Sequence, residues 1–183
     1  MKKNYLIISL LILSVGLSQQ EYNSNDLIKM DNGLYTVKFS DEPITGKVYG
    51  YFGEESNPKI VYIGDIRNGK REGRWKSYYH STGKKIFDYN YKNGKLDGLN
   101  TDWYENGQKR GERTYKDDKK DGLWIEWYEN GQKNVEGTFK DGKLDGLWIG
   151  WFENGQKENE VTYKYGEIVE VIGMWNKNGS VKW

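Results

Sequence analysis

Four evenly spaced tryptophans are the residues of this chain whose chemistry points most directly to binding. They recur every 24 residues, at Trp103, Trp127, Trp151 and Trp175. An indole ring offers a large apolar area and attracts cations to its face. Equivalent rings one hairpin apart, two strands at ~4.8 Å each, would lie ~9.6 Å apart, too far for contact without intervening side chains. The row therefore predicts packing within a sheet, a binding surface, or both.

The residues that usually carry catalysis or bind metals are scarce. His80 is the only histidine and the chain has no cysteine, so zinc-type ligand sets and thiolate nucleophiles are missing. The acidic pair Asp117–Asp118 and the run at 141–146 could suggest calcium, but both have lysine neighbours and coincide with predicted turns. The sequence predicts a protein that is not an enzyme and has no metal site and no cofactor.

Composition narrows the class of partner. The chain has 183 residues, of which 15% are aromatic and 23 are glycine, so few aliphatic side chains remain for a globular core. Lys and Arg total 28 against 27 Asp and Glu, interspersed along the chain. A nucleic-acid partner is not expected, because no basic field is built up.

A repeat of 24 residues supplies the elements that hold these rings. The string Trp-Tyr-Glu-Asn-Gly-Gln-Lys starts at the first two tryptophans, and Phe replaces its Tyr at the third. The best copy, Gly122–Asp145, has an apolar strand at 123–128 and a second strand at 132–140. Asn130–Gly131 separates the strands and Asp141–Gly142 follows them, and both pairs favour two-residue type I′ hairpin turns. The period predicts an all-β fold, an elongated single-layer antiparallel β-meander of stacked hairpin repeats.

The hairpin register predicts which glycines are structural. A turn at Asn130–Gly131 places Trp124 opposite Gly137. One glycine per repeat then faces an aromatic residue across the hairpin, in the pairs Gly98–Tyr115, Gly122–Phe139 and Gly146–Tyr163. Because a ring lying flat across the neighbouring strand needs a position without a Cβ, we expect these glycines to be structural.

The other face of the same strands is also apolar. It carries Leu123, Ile125 and Trp127 in one copy and Leu147, Ile149 and Trp151 in the next. A single layer cannot cover both faces. The sheet must therefore curl around one face or leave an apolar stripe available to a partner.

The N-terminus resembles an export signal. Lys2 and Lys3 precede an apolar run, and Gly16 and Ser18 offer the small residues of a cleavage site. An apolar helix of about 12 residues spans only ~18 Å of a ~30 Å hydrocarbon core. We therefore predict a cleaved signal peptide at 1–18 and export to the periplasm, cell surface or exterior, without membrane association after cleavage.

The remaining chain divides into a cap and an array. We predict a linker and N-terminal cap at 19–43 and the repeat array at 44–183, with earlier, weaker copies starting at Gly46 and Gly73. At the C-terminus Glu170 replaces the expected glycine, and the last half-repeat reads as a capping unit. We expect a monomer.

The strings Tyr-Glu-Asn-Gly-Gln-Lys and Glu-Gly-Thr-Phe-Lys-Asp-Gly-Lys-Leu-Asp-Gly-Leu-Trp, the latter at 136–148, resemble the bacterial variant of the MORN (membrane occupation and recognition nexus) repeat. The resemblance covers about residues 44–183 and points to the YwqK-type group, described as toxin–antitoxin system antitoxin-like proteins. It implies an elongated β-meander that serves as an interaction scaffold. Lipid recognition by eukaryotic MORN arrays does not carry over to particular residues here.

Two functions of different classes follow from these patterns. The first is an exported, non-enzymatic scaffold that binds a protein partner, such as a toxin or surface protein, through the tryptophan row, with an antitoxin or immunity-like role. The alternative is a cell-wall glycan- or choline-binding module that uses the aromatic repeats for stacking and cation–π contacts. The 24-residue period argues against the alternative, since those modules have repeats nearer 20 residues.

Overall fold

The computed structural model describes residues 19–38, 40–52 and 59–182, so the predicted signal peptide lies outside the described residues. The described chain is built of β-strands, with one 3₁₀ turn at Ser24–Asp26. The strands are β1 (Glu21–Asn23), β2 (Leu27–Lys29), β3 (Tyr35–Val37), β4 (Gly46–Phe52), β5 (Lys59–Arg67), β6 (Lys70–Tyr78), β7 (Lys85–Lys92), β8 (Lys95–Leu96), β9 (Gly98–Trp103), β10 (Lys109–Lys116), β11 (Lys119–Trp127), β12 (Lys133–Lys140), β13 (Lys143–Leu144), β14 (Gly146–Trp151), β15 (Lys157–Lys164) and β16 (Glu167–Met174).

One continuous sheet of 14 strands contains the repeats. From β4 to β16 each long strand pairs antiparallel with the next along the chain, while β8 and β13 are short pieces that pair with β7 and β12. At the start of the sheet β1 pairs in parallel with β4. The predicted all-β meander of stacked hairpins is confirmed.

At one end of the strands the hairpins close with the predicted two-residue turns. Both residues of Asp141–Gly142 have positive φ, at 50° and 85°. Asn68–Gly69 and Asn93–Gly94 do the same. This is the backbone that a type I′ turn requires, so the prediction is confirmed at this end.

At the other end of the strands the prediction of type I′ turns is wrong. At Asn130–Gly131 only the glycine has positive φ, at 86°; its N–H donates to the Tyr128 carbonyl at 2.9 Å. The loop is a four-residue turn closed by a left-handed glycine, and the strand pairing shifts register beside it, between Glu126 and Trp127. Asn130 stays outside the left-handed region because its side chain accepts the Gln132 N–H at 2.9 Å. The same correction applies to Asn106–Gly107, Asn154–Gly155 and Asn178–Gly179.

The predicted register is present, but the reason given for the glycines needs correction. Gly122 lies opposite Phe139 and Trp124 opposite Gly137. Gly98 and Gly146 likewise face tyrosines. However, a Cβ on Gly122 would meet Thr114 at 3.1 Å rather than the ring of Phe139.

Backbone conformation is what singles out these three glycines. Gly98, Gly122 and Gly146 have φ of 109°, 112° and 111°, a region that side chains rarely adopt. Rings do cover other glycines: Trp148 occupies the space of a Cβ on Gly137, and Trp75 does so on Gly64. At Gly137 the covering ring comes from the following hairpin and not from Trp124, the residue paired with it across the turn.

The compact core lies at the N-terminal end. Ile44, Val48, Ile66 and Trp75 are buried together. Residues of β2 and β3, which form a separate two-stranded sheet, pack against them. In the rest of the described chain Val161 is the one buried apolar residue. The repeats are thus held mainly by half-buried side chains and by contacts between successive hairpins.

Candidate interaction surface

The repeated string encodes contacts from each hairpin to the next. The hydroxyl of Tyr104 donates to the Trp127 carbonyl, and that of Tyr128 to the Trp151 carbonyl, both at 2.8 Å. The asparagine side-chain amides repeat this contact. They donate to backbone carbonyls of the next turn, Asn106 to that of Glu129, Asn130 to that of Glu153 and Asn154 to that of Lys177. The Tyr and Asn of the string are therefore explained by stacking rather than by ligand binding.

The Gly and Gln of the string fit together across the same boundary. A Cβ on Gly131 would collide with the amide of Gln108, and one on Gly155 would collide with the amide of Gln132. Each glutamine thus lies against the next turn, which only glycine allows at this distance.

The lysine of the string covers the tryptophan of the following hairpin. Lys85, Lys109, Lys133 and Lys157 hold their ammonium groups 5.1, 5.7, 5.6 and 5.9 Å from the rings of Trp103, Trp127, Trp151 and Trp175. All four rings are half-buried. The structure thus places the four predicted residues in one row, with lysines between the rings. We call this row the Trp/Lys ladder and its side of the sheet the ladder face.

Acidic residues neutralise the ladder lysines. Lys133 pairs with Glu136 at 2.5 Å and Lys157 with Glu160 at 2.6 Å, and Lys109 pairs with Glu112. The three lysine side chains remain 44–48% exposed. Each pair joins a lysine that is about half exposed to a glutamate that is 16–35% exposed, so the glutamate is fixed while part of the lysine side chain remains accessible to a partner.

Asp88 begins the acidic row at its N-terminal end. It lies 2.6 Å from Arg74 and 3.2 Å from Lys85, and its side chain is almost fully buried. Burial alone would raise its pKa, but the hydrogen bonds and charges of Arg74 and Lys85 outweigh burial and lower the pKa. Asp88 is therefore a buried anion held by cations, which is a structural arrangement.

A leucine row lies beside the ladder on the same face. Leu99, Leu123 and Leu147 follow the 24-residue period and are 47%, 41% and 42% exposed. Each faces a threonine of the partner strand, so no large side chain covers it there. Half-exposed leucines beside half-buried tryptophans form a stripe in which apolar residues recur with each hairpin, and exposed apolar patches of this kind mark interaction sites.

The opposite face contains an aromatic row and an ion network. Tyr115, Trp124, Phe139 and Trp148 follow one another with ring centroids 5.2–6.2 Å apart. Beside them Arg113 pairs with Asp102 and with Glu126, and Tyr89 donates to Asp102. Burial and the Asp102 carboxylate both raise the pKa of Tyr89. These groups satisfy one another, and no nucleophile or free base is held among them.

The acidic residues considered for calcium serve the turns. Asp118 accepts the Leu96 N–H at 2.7 Å, and Asp145 accepts the Tyr165 N–H at 3.3 Å, so each carboxylate holds backbone at or next to a neighbouring turn. Within the described residues no group of three or more potential metal ligands comes together. His80 lies exposed in its turn.

Three segments of the array match a known family of repeats. Residues 96–117, 120–141 and 144–165 match the family model described as MORN repeat variant. Three consecutive segments are therefore similar to MORN repeats. Each match ends at the turn that follows a long strand, β10, β12 or β15, and the matches repeat every 24 residues, in step with the hairpins. No curated protein matches the chain.

MORN repeats are commonly interaction scaffolds for proteins or membranes, and they are typically non-catalytic. Among the described residues no helix is long and apolar enough to cross a membrane. The sequence predicts the tryptophans of the ladder face and places Leu123 and Leu147 on that face, but it does not reveal the exposure of the leucines or the position of the lysines. A constant offset of 18 residues from each lysine to the tryptophan that it covers was the available signal.

Proposed function

We propose that the chain is a non-enzymatic MORN-repeat scaffold that binds a protein partner through the ladder face. The observation that carries the proposal is the stripe formed by the leucine row and the Trp/Lys ladder, in which half-exposed apolar residues recur with every hairpin. Apolar and aromatic anchors inside a polar rim are the usual anatomy of a protein interface.

The lysines of the ladder disfavour the choline-binding alternative. Each tryptophan ring already has an ammonium group over it at 5.1–5.9 Å. A choline ligand would have to displace that cation from the same ring face. A protein partner does not, because it can contact the leucines and the exposed lysine side chains together.

We propose further that the protein is exported after cleavage following Ser18, and that its partner is a toxin-like or surface protein, as in an immunity-like role. The support is the short apolar N-terminal run and the resemblance to antitoxin-like repeat proteins. Mass spectrometry of the protein from the producing cell tests the export step. A mature chain beginning at Gln19 is expected, and retention of Met1 would contradict cleavage.

The surface is tested by replacing its leucines. A triple variant, Leu99→Ser, Leu123→Ser and Leu147→Ser, should keep a thermal midpoint within a few degrees of wild type, because these side chains are already half-exposed. It should lose capture of the partner identified by cross-linking with the wild-type chain. Loss of a central apolar anchor costs an interface about 2 kcal/mol or more.

A matched control separates a specific interface from general stickiness. Ile168→Ser with Val169→Ser removes apolar side chains of β16 that lie outside the leucine row and are even more exposed than the leucines, at 59% and 64%. This control should retain the partner. If the leucine variant binds as the wild type does, or if both variants lose binding equally, the ladder face is not the interface.

Single truncations of Trp127 and Trp151 extend the test. Each ring is half-buried, so Trp127→Ala or Trp151→Ala should cost about half of the 3–5 kcal/mol of a fully buried ring. Loss of binding at a temperature where both variants are still folded supports a role in the interface. Unchanged binding would restrict these rings to packing.

A further inference from the structure

A cleft of about 300 Å³ opens where the N-terminal cap meets the array, on the face opposite the ladder. The cap contributes Lys29 and Tyr35, and the sheet contributes Lys70, Arg71 and Tyr91. Asp118 also lines the cleft. Three cations and one anion therefore give the lining an excess positive charge.

The guanidinium of Arg71 is fixed in the wall of this cleft. Its central carbon lies 5.3, 5.0 and 5.1 Å from the rings of Tyr35, Trp75 and Tyr91. Its terminal nitrogens donate to the hydroxyls of Tyr35 at 2.7 Å and Tyr91 at 2.8 Å. The side chain is thus held in one orientation before any ligand arrives.

Arg71 lacks the acidic partner that a half-buried arginine normally has. In the described part of the chain no carboxylate oxygen lies within 4.0 Å of it, whereas Arg113 has two such partners and Arg74 has one. Its Nε is buried without a hydrogen-bond partner. A desolvated cation without an anion is costly, and a bound anion would remove the cost.

The two tyrosines add donors to the same site. Each hydroxyl oxygen accepts a hydrogen bond from Arg71, which leaves its own hydrogen free to donate. Two hydroxyls, a guanidinium and two exposed lysines surround the cleft. An acceptor with several oxygens and more than one negative charge matches this set best.

We propose that the cleft binds a small dianionic oxyanion of the phosphate type. Arg71, Tyr35 and Tyr91 form the fixed wall, and Lys29 and Lys70 close over the ligand from the cap and from β6. Asp118 limits the affinity, since its carboxylate is anchored to the Leu96 N–H at 2.7 Å and stays in the lining. Because Lys29 and Tyr35 belong to the cap, the ligand ties the cap to the array.

The test is a titration of the full chain with inorganic phosphate at constant ionic strength, followed by NMR on the amide signals of Gly69 and Gly94, which line the cleft. Saturable shifts of both signals are expected. Acetate, a monoanion, should bind at least several-fold more weakly. Shifts that rise linearly without saturation, or equal affinity for acetate, would overturn the proposal.

Charge variants give opposite expected changes. Lys29→Gln with Lys70→Gln should weaken phosphate binding about tenfold or more, and Asp118→Asn should strengthen it by about threefold to tenfold. Asn tolerates the left-handed φ of 68° at this position and keeps the oxygen that accepts the Leu96 N–H. The control Asp141→Asn makes the same charge change in a turn outside the cleft and should leave the affinity unchanged. An unchanged affinity in both cleft variants would refute the site.

Discussion

At the residue scale, Asn130 shows how one side chain can close its own turn and bind the next hairpin. Its Oδ1 accepts the Gln132 N–H and its Nδ2 donates to the Glu153 carbonyl, both at 2.9 Å. The amide therefore serves two neighbouring hairpins. An Asp at this position could accept the first hydrogen bond but could not donate the second.

Replacing this asparagine measures the contact between hairpins. Asn130→Ala removes both hydrogen bonds and should lower the free energy of unfolding by about 1 to 2 kcal/mol. Asn178 in a Ser180→Ala background is the matched control. Asn178 accepts the Ser180 N–H at 3.0 Å, its second hydrogen bond, from the Ser180 hydroxyl at 2.7 Å, is removed by that background, and its amide donates to no further turn in the described chain. Asn178→Ala should therefore cost less. Equal losses in urea unfolding would show that only the local hydrogen bond matters.

At the element scale, strand pairing is dictated by pattern and turn conformation by local hydrogen bonds. Alternation of apolar residues and the position of each Asn-Gly pair place Gly122 opposite Phe139, and the sheet has this register. The same pairs do not reveal the turn type, because an Asn side chain can stabilise a type I turn as well as occupy a left-handed position. Distinguishing Asn130 from Asn93 requires knowing that the Asn130 side chain accepts the Gln132 N–H, which the Asn-Gly pair alone does not show.

The candidate site too is partly predictable from the sequence pattern and partly dependent on contacts in the folded chain. The sequence shows a row of tryptophans at a fixed period. The spacing between them predicts that other side chains lie between the rings. That the intervening groups are lysines depends on the register between hairpins, which places Lys109 over Trp127. Leu123 was assigned to the correct face, but its exposure depends on the small threonine opposite it.

The two explanations for Gly122 make different predictions. If its φ of 112° is what requires glycine, Gly122→Ala should cost about 1 to 3 kcal/mol, measured by the urea midpoint. Shrinking the facing ring with Phe139→Leu should not rescue the variant, since a Cβ here meets Thr114 instead. Rescue would restore the idea of a ring seated on the glycine. The control Gly142→Asn, at a φ of 85° with open space around it, should cost less than 1 kcal/mol.

At the scale of the whole molecule, the structure is a linear array with one core at its N-terminal end. Each hairpin of the array contacts mainly its neighbours, and the Tyr, Asn, Gly, Gln and Lys of the repeated string all act across one boundary. An array of this kind has a stability that is approximately a sum of nearest-neighbour terms. Whole repeats can therefore be removed from the array, or added to it, without loss of folding.

The most direct test of this account is removal of one unit, Gly122–Asp145, followed by small-angle scattering and thermal unfolding. The deletion joins Asp121 to Gly146 and keeps the phase of strands and turns, so we expect a folded array that is shorter by ~9.6 Å, the width of two strands. Deleting only residues 122–133 removes half a unit, breaks the phase and should unfold the C-terminal hairpins. If the whole-unit variant is unfolded, or if it keeps the wild-type maximum dimension, the chain is not an array of independent stacking hairpins.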